Sequence, residues 1–562
     1  MLIFEYAFAA IPMLGILIFV HELGHFVVAK LCGVRVLKFS LGFGPPIGFG
    51  DHRMRWVRGG TEYVVAWVPL GGFVRMLGEQ LPGDAESPVE IPDDARPDEY
   101  LDAKPTWQKI AIVLAGPAMN LALPILLFMV MLWAGIPKPA SVVGMVEVDS
   151  PAAEVGLLPG DRIVSIDGEP VEWWEQVVDG IRSGGGRDLA MTIERGPERL
   201  DVTLPLGSRT ALDDFGDAEE VGWGGIGHER LPALIAVQAA DSPAARAGLR
   251  SGDRIIRVGG VEAEDWEQLA HAYSSAATDP VEIELARGLE ADAPHQTLAV
   301  PALGSLAELG VVSAPILVGS VVEGMPAARA GLAAGDLIVA VDGLPVGSFR
   351  LFADTIRASG GRALEIAYVR EGVVQSASIQ PVEREVPGPF GIDGMEEKVF
   401  QVGIAHALAT LPGVTGIDRE RDPLTAFRRA VGTTARYASL IVRGFGKLVT
   451  GQVGPEQLRG PITIVQIARE SLDRGWQVYL GMMMFISINL GILNLLPIPI
   501  LDGGQLVIFS IEGIKRSPLS LRTREFVQQI GFVVLMLLMG LAFWNDLSGQ
   551  WSKLVEWLST ES

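Results

Sequence analysis

The pentapeptide His21-Glu22-Leu23-Gly24-His25 sets two imidazoles four residues apart with a carboxylate between them. On a helix this spacing brings both rings to one face, one turn apart, as the H-E-x-x-H motif of zinc hydrolases requires. A catalytic zinc takes three protein ligands and leaves a fourth position to water. The third ligand is not close by, because Val28 and Leu31 stand where the metzincin pattern has Gly and His. The single Cys32 leaves no thiolate cluster, so a distant carboxylate is needed. The best candidate is Asp502, in Asn494-Leu495-Leu496-Pro497-Ile498-Pro499-Ile500-Leu501-Asp502-Gly503-Gly504, where prolines break an apolar run ahead of the acid. Irregular backbone at membrane depth is tolerated where it is buried in protein or lines a wet cavity.

The elements that must position these residues are apolar helices. Phe8 to Val20 is almost wholly apolar and resumes at Phe26 to Ala29, so the His-Glu-His cluster closes a span. Ionisable groups there are costly unless paired, ligated or hydrated. The first Lys is Lys30, which reads as a retained helix rather than a cleaved signal. Runs at Ile110 to Trp133, Val478 to Leu496 and Phe526 to Trp544 are each near the ~20 residues that cross hydrocarbon, giving about four spans. Ala426 to Val449 is helical in pattern but carries Arg428, Arg429, Arg436, Arg443 and Lys447, which suits an interfacial helix. Basic residues from Lys30 to Arg58, and from Lys515 to Arg524, place the loops after the first span and between the last two in the cytoplasm. Residues from about 135 to 475 are then expected on the extracytoplasmic face.

Composition agrees with a segregated chain. Its 562 residues are 49% hydrophobic, too apolar for an ordinary soluble protein, and 20% charged, too polar for spans alone. A formal net charge of -22 argues against nucleic acid as a partner, since phosphate binding relies on clustered Lys and Arg. The acidic segment Asp84 to Asp102 reads as a flexible cytoplasmic loop. The remaining histidines, His52, His228, His271, His295 and His406, read as solvated, with only His52 near enough in sequence to the motif to keep in view.

One pattern occurs three times in the polar half. Pro151-Ala152-Ala153, Gly156-Leu157 and Gly160-Asp161-Arg162-Ile163 recur as Pro243-Ala244-Ala245, Gly248-Leu249 and Gly252-Asp253-Arg254-Ile255. They recur again as Pro326-Ala327-Ala328, Gly331-Leu332 and Gly335-Asp336-Leu337-Ile338. Each copy predicts a short helix ended by Gly, a Gly-Asp turn and a strand. A period of roughly 80 to 90 residues suits separate small domains rather than a solenoid. The copies resemble PDZ domains, which bind extended peptides by strand addition; spacers without a working groove are the alternative.

The two ends of the chain together resemble the site-2 protease family, in its PDZ-bearing bacterial branch. The likeness is carried by H-E-x-x-H and the Asn494 to Gly504 stretch. It extends to Ser40-Leu41-Gly42-Phe43-Gly44, Pro69-Leu70-Gly71-Gly72-Phe73-Val74-Arg75-Met76, Gly116-Pro117-Ala118-Met119-Asn120 and Gly460-Pro461-Ile462-Thr463-Ile464. The implied fold is multidomain: an α-helical polytopic membrane protease core of about four transmembrane helices and a membrane-associated β-hairpin, with inserted α+β PDZ-like domains. Expected boundaries are 1–134 for the first membrane half, 141–206, 228–302 and 315–385 for the PDZ-like domains, 424–475 for an interfacial helix and connector, and 476–562 for the second membrane half.

The resemblance implies zinc (Zn2+) held by His21, His25 and Asp502, with Glu22 as general base. Asn494, Pro497, Pro499, Val68, Gly71, Gly72 and Phe73 would contact substrate, with Val64 to Met76 forming a hairpin that offers an edge strand. The implied setting is the bacterial inner (cytoplasmic) membrane, with single-pass transmembrane substrates such as anti-sigma factors or remnant signal peptides and an upstream site-1-type protease. Two departures stand out: three repeats where the family's best-known members carry two, and Gln505 where His is common. A catalytically silent membrane adaptor and an ion carrier are the rival readings.

Overall fold

Long runs with few charges form helices, and in the computed structural model four of these are long and apolar enough to cross a membrane: Phe8–Leu31, Thr106–Ala134, Trp476–Leu495 and Arg522–Leu547. They fall on the four runs expected from the sequence. The structure describes residues 2–49, 52–78, 92, 94–147, 150–212, 218–239, 241–287, 293–314, 316–346, 348–370, 373–387, 396–407, 410–451, 460–517 and 519–560. Contacts divide the chain into two compact units.

The first unit holds residues 1–136, 387–396 and 418–562. Its helices are α1 (Leu2–Leu31), α2 (Thr106–Ala134), α3 (Pro423–Val449), α4 (Pro461–Asp473), α5 (Trp476–Leu495), α6 (Asp502–Lys515) and α7 (Leu521–Thr560). α1 packs on α2 and α4. An apolar cluster of Ala9, Ala10, Met13 and Leu17 with Leu123, Ile467, Ala468, Met482 and Met483 joins α1, α2, α4 and α5. α3, expected to lie at the interface, is one 27-residue helix that turns Ala426, Ala430 and Thr434 inward and packs on α2 and α5. The stretch expected as a connector after it includes α4.

A small sheet of β1 (Val36–Pro46), β2 (Arg55–Arg58) and β3 (Thr61–Met76) sits beside α1. The expected hairpin is more interleaved than two adjacent arms. Ser40 pairs with both Val64 and Phe73, and Leu41 with both Val65 and Gly72, so β1 runs between the arms of a folded β3. Gly71, at φ 113°, makes the fold possible: a Cβ there would lie 2.2 Å from the Phe43 ring. Of the acidic segment 84–102, residues 84–91 and 93 lie outside the described residues. The remainder is partly ordered, with a 3-10 turn at Pro97–Glu99 and Arg35 paired with Asp94 and Glu99.

The second unit holds residues 137–386 and 397–417, and within it the three repeats form three separate apolar cores. Each has a four-stranded antiparallel sheet of the same topology and one helix of nine or ten residues, Trp174–Arg182, Trp266–Ser274 and Phe349–Ala358. The repeated Gly-Asp is explained by a buried ion pair. Asp161, Asp253 and Asp336 are 1–2% exposed. They bind Arg195, Arg287 and Arg370 respectively, 34 residues later in every case. The same arginines donate to the carbonyls of Gly156, Gly248 and Gly331. Each repeat also runs past its expected end: Ile226–Gly227, Val311–Ser313 and Ile404–His406 return to pair with Met145–Val146, Ile235–Val237 and Val318–Val321.

Candidate active site

α1 presents His21 and His25 toward α2, and two glycines make the approach possible. A Cβ on Gly24 would lie 2.3 Å from the Ala115 carbonyl oxygen, and one on Gly116 would lie 2.3 Å from His25 Nε2. The glycines inside the His-Glu-Leu-Gly-His and Gly-Pro-Ala-Met-Asn motifs thus fit ring and backbone together. Asp502 arrives from the far end of the chain at the first turn of α6, where the partial positive charge of a helix N-terminus suits a carboxylate. The preceding turn folds over Gly503 and Gly504, where a Cβ would lie 2.2 Å from the Leu496 carbonyl oxygen and 2.3 Å from that of Ile498.

The three side chains meet. His21 Nε2 stands 3.2 Å from His25 Nε2 and 3.2 Å from Asp502 Oδ2, and His25 Nε2 stands 3.6 Å from that oxygen. Ligands about 2.05 Å from one tetrahedral ion lie roughly 3.3–3.4 Å apart, so the triangle has the size zinc requires.

The outer hydrogen bonds show which atoms face inward. His25 Nδ1 lies 2.8 Å from the Ile112 carbonyl oxygen and donates to it, which leaves an Nε2 lone pair facing the other two groups. Asn120, fully buried, lies 3.2 Å from His21 Nδ1 through its amide nitrogen, while its Oδ1 has no hydrogen-bond partner. Exchanging the amide's O and N gives His21 Nδ1–H an acceptor and turns the second Nε2 lone pair inward. Asp502 Oδ2 is buried and accepts no hydrogen bond. With the amide so assigned, two imine nitrogens and a carboxylate oxygen converge with no proton among them, an arrangement that suits a bound cation.

Glu22 lies beside this triangle. Its Cγ is 3.1 Å from where a Gly72 Cβ would stand, so the outer arm of β3 borders it. Phe73 stacks on Phe43, and both line a cavity of about 1090 Å³ with Pro499, Ile500, Phe532 and Val533. Asn494 sits against His21, its amide nitrogen 3.5 Å from both ring nitrogens. Gly71 packs on Phe43, Pro497 is exposed, and Val68 is 46% exposed at the fold of β3. Of the other histidines, His228 packs on Trp174, His406 on Phe349, and His295 pairs with Glu284. His52 falls in a two-residue strand and His271 in the second repeat's helix. Among the described residues, only His21, His25 and Asp502 form a group able to hold a metal ion. Asn120, the last residue of Gly116-Pro117-Ala118-Met119-Asn120, has no role that its motif alone discloses; its signal is a buried amide one helix away from the histidines.

The model of peptidase family M50 matches residues 9–538. The chain belongs to peptidase family M50. This M50 peptidase is 32% identical over 540 residues to the regulator of sigma-E protease RseP of Escherichia coli, covering 96% of this chain and 97% of the relative. It is likewise 32% identical over 541 residues to the regulator of sigma E protease of Salmonella typhi, covering 96% and 98%. A Neisseria meningitidis serogroup A protein carrying a provisional zinc-metalloprotease name is 29% identical over 538 residues, covering 95% and 96%. Among solved structures, the PDZ domain of an SdrC-like protein from Listeria monocytogenes is 27% identical, covering 17% of this chain and 90% of that one, with a TM-score of 0.14. The chain is accordingly a membrane zinc metalloprotease.

Proposed function

We propose that this enzyme cuts single-pass membrane proteins within or beside the bilayer, with His21, His25 and Asp502 as the zinc ligands and Glu22 as the general base. The observation that carries the assignment is the triangle of 3.2, 3.2 and 3.6 Å between the Nε2 atoms of His21 and His25 and Oδ2 of Asp502. Zinc held there supplies Lewis acidity toward a peptide carbonyl and acidifies a water. Ile112 and Asn120 fix the two rings, and Glu22 takes the proton from the attacking water and returns it to the leaving amine.

A helix in lipid keeps its carbonyls in its own hydrogen bonds, so the substrate must be unwound before attack. The outer arm of β3, Gly71 to Met76, borders Glu22 and is positioned to hold a freed segment by strand addition. Gly72 keeps that arm close to the base, Phe73 and Pro499 line the adjoining cavity, and Gly71 lets the arm fold. Asn494, against His21, is suited to steady the ring as well as a substrate carbonyl. The repeats lie on the extracytoplasmic face in this reading and admit substrates whose outer domain an upstream protease has already trimmed. Anti-sigma-factor-like proteins and remnant signal peptides are the substrate classes, consistent with the sigma-E regulation in two relatives' names.

The test is to purify Glu22→Gln beside the parent, measure bound zinc and assay a single-span substrate. Zinc in both with cleavage by the parent alone supports the reading. Cleavage by neither supports a silent adaptor, and undiminished cleavage by Glu22→Gln removes Glu22 from the chemistry.

A further inference from the structure

The motif Gly460-Pro461-Ile462-Thr463 takes no part in the zinc chemistry, yet the structure gives each of its residues a task. It opens α4, whose first N–H groups have no partners within the helix. Gly460 has no side chain with which to cap them, and Pro461 at the first helical position lacks an N–H. The remaining donors turn to Asp546, on α7. Its Oδ1 accepts from Gly460 N at 2.9 Å and Thr463 Oγ1 at 2.7 Å, and its Oδ2 from Ile462 N at 3.0 Å and Thr463 N at 3.3 Å. A Cβ on Gly460 would lie 2.5 Å from that carboxylate, which accounts for glycine there. α4 is thus capped by an acid from another helix, more than 80 residues away.

Asp546 is buried at the end of a candidate span that the rest of the chain otherwise hardly covers. A carboxylate in such a segment is costly unless satisfied, and here four donors and a helix N-terminus satisfy it. The other end of α7 is tied by Arg524 to Glu512 of α6. Between the two ties, Gly531 approaches the turn ahead of Asp502 so closely that a Cβ would lie 2.8 Å from Pro499 Cβ. Phe532 and Val533 line the 1090 Å³ cavity together with Phe43 and Phe73.

We propose that Asp546 is a positioning residue for proteolysis: by capping α4 it fixes the height and rotation of α7, and so sets the wall of the substrate cavity against the Pro499 turn. This rests on the proteolytic reading above. A purely local cap would stabilise α4 and nothing more, and the two roles are separable. Asp546→Ala removes both cap and tie, and the reactivity of a thiol placed in the cavity wall reports the tie alone. Thr463→Val removes a single donor and is the mild variant should Asp546→Ala fold poorly.

With the purified full chain and a single-span substrate, Asp546→Ala should lose about tenfold in kcat/KM, chiefly through KM, with zinc content unchanged. Thr463→Val should lose about threefold. In a Cys32→Ser background, a single Phe532→Cys thiol should change its rate of reaction with a thiol reagent several-fold in Asp546→Ala, as the cavity wall loses its fixed place. Full activity in Asp546→Ala, or a Phe532→Cys thiol that reacts alike with and without Asp546→Ala, overturns the proposal. Loss of zinc in Asp546→Ala overturns it too, because the effect would then lie in the metal site. The proteolytic reading fails separately, if the parent itself does not cleave.

Discussion

Buried charge is handled in two opposite ways in this molecule. In the repeats, Asp161, Asp253 and Asp336 each meet an arginine that neutralises the carboxylate and also bonds a neighbouring glycine carbonyl. Lone pairs and N–H groups match, and nothing is left for a ligand. In the membrane unit, His21, His25 and Asp502 bring lone pairs to one point and turn their protons outward. The comparison separates structure from site: a buried polar cluster that satisfies itself holds a fold together, and one that leaves acceptors facing acceptors holds an ion.

The comparison can be broken most forcefully at the site. His25→Ala should abolish zinc binding and lower cleavage by at least ~10³-fold, because the remaining pair cannot hold the ion in place. Zinc analysis and a cleavage assay on the same preparation check this. Asn120→Ala comes next: with the ring of His21 unheld, zinc affinity should fall roughly 10–100-fold, measured by competition with a chelator.

In the repeats the same kind of truncation should act on stability instead. Asp161→Ala strands Arg195 and should destabilise the first repeat by about 3 kcal/mol, less for the partial exposure of the arginine, leaving zinc content untouched. Thermal unfolding and limited proteolysis would show it. The smallest effect is expected at the Asp167–Arg187 pair, where Arg187 holds the carboxyl of Asp167 below its ordinary range. A depressed acid stabilises the fold above its unfolded pKa and loses that contribution as pH falls through the folded one. The first repeat should weaken slightly on acidification below about pH 4, and Asp167→Asn should flatten that slope.

Much of this was legible in the sequence, for reasons specific to each element. The spans are long unbroken apolar runs. The proposed ligands lie in two short motifs, marked by their spacing and by their proline context, and the Gly-Asp repeats fall on the three apolar cores. What could not be read were partners set by folding. Arg195, Arg287 and Arg370 lie 34 residues from their aspartates in unrelated local sequence. The returning strands at Ile226–Gly227, Val311–Ser313 and Ile404–His406 are too short to show an alternating pattern. Their one local mark is a preceding glycine at positive φ, Gly225, Gly310 and Gly403. A test that removes the repeats should therefore run to residue 407. The expected boundary at 385 would leave the strands Glu396–Gln401 and Ile404–His406 behind. Asp546 carried a readable signal, an acid at the end of a span, but its partner Gly460 lies 86 residues away.

The central claim is that side chains 481 residues apart share one zinc ion. The direct measurement is bound zinc per chain for the parent and for Asp502→Ala, purified side by side, with thermal unfolding of the repeats as the control for folding. The account predicts one zinc in the parent and little or none in Asp502→Ala, with the repeats unfolding alike in both. Full, tightly held zinc in Asp502→Ala would contradict it.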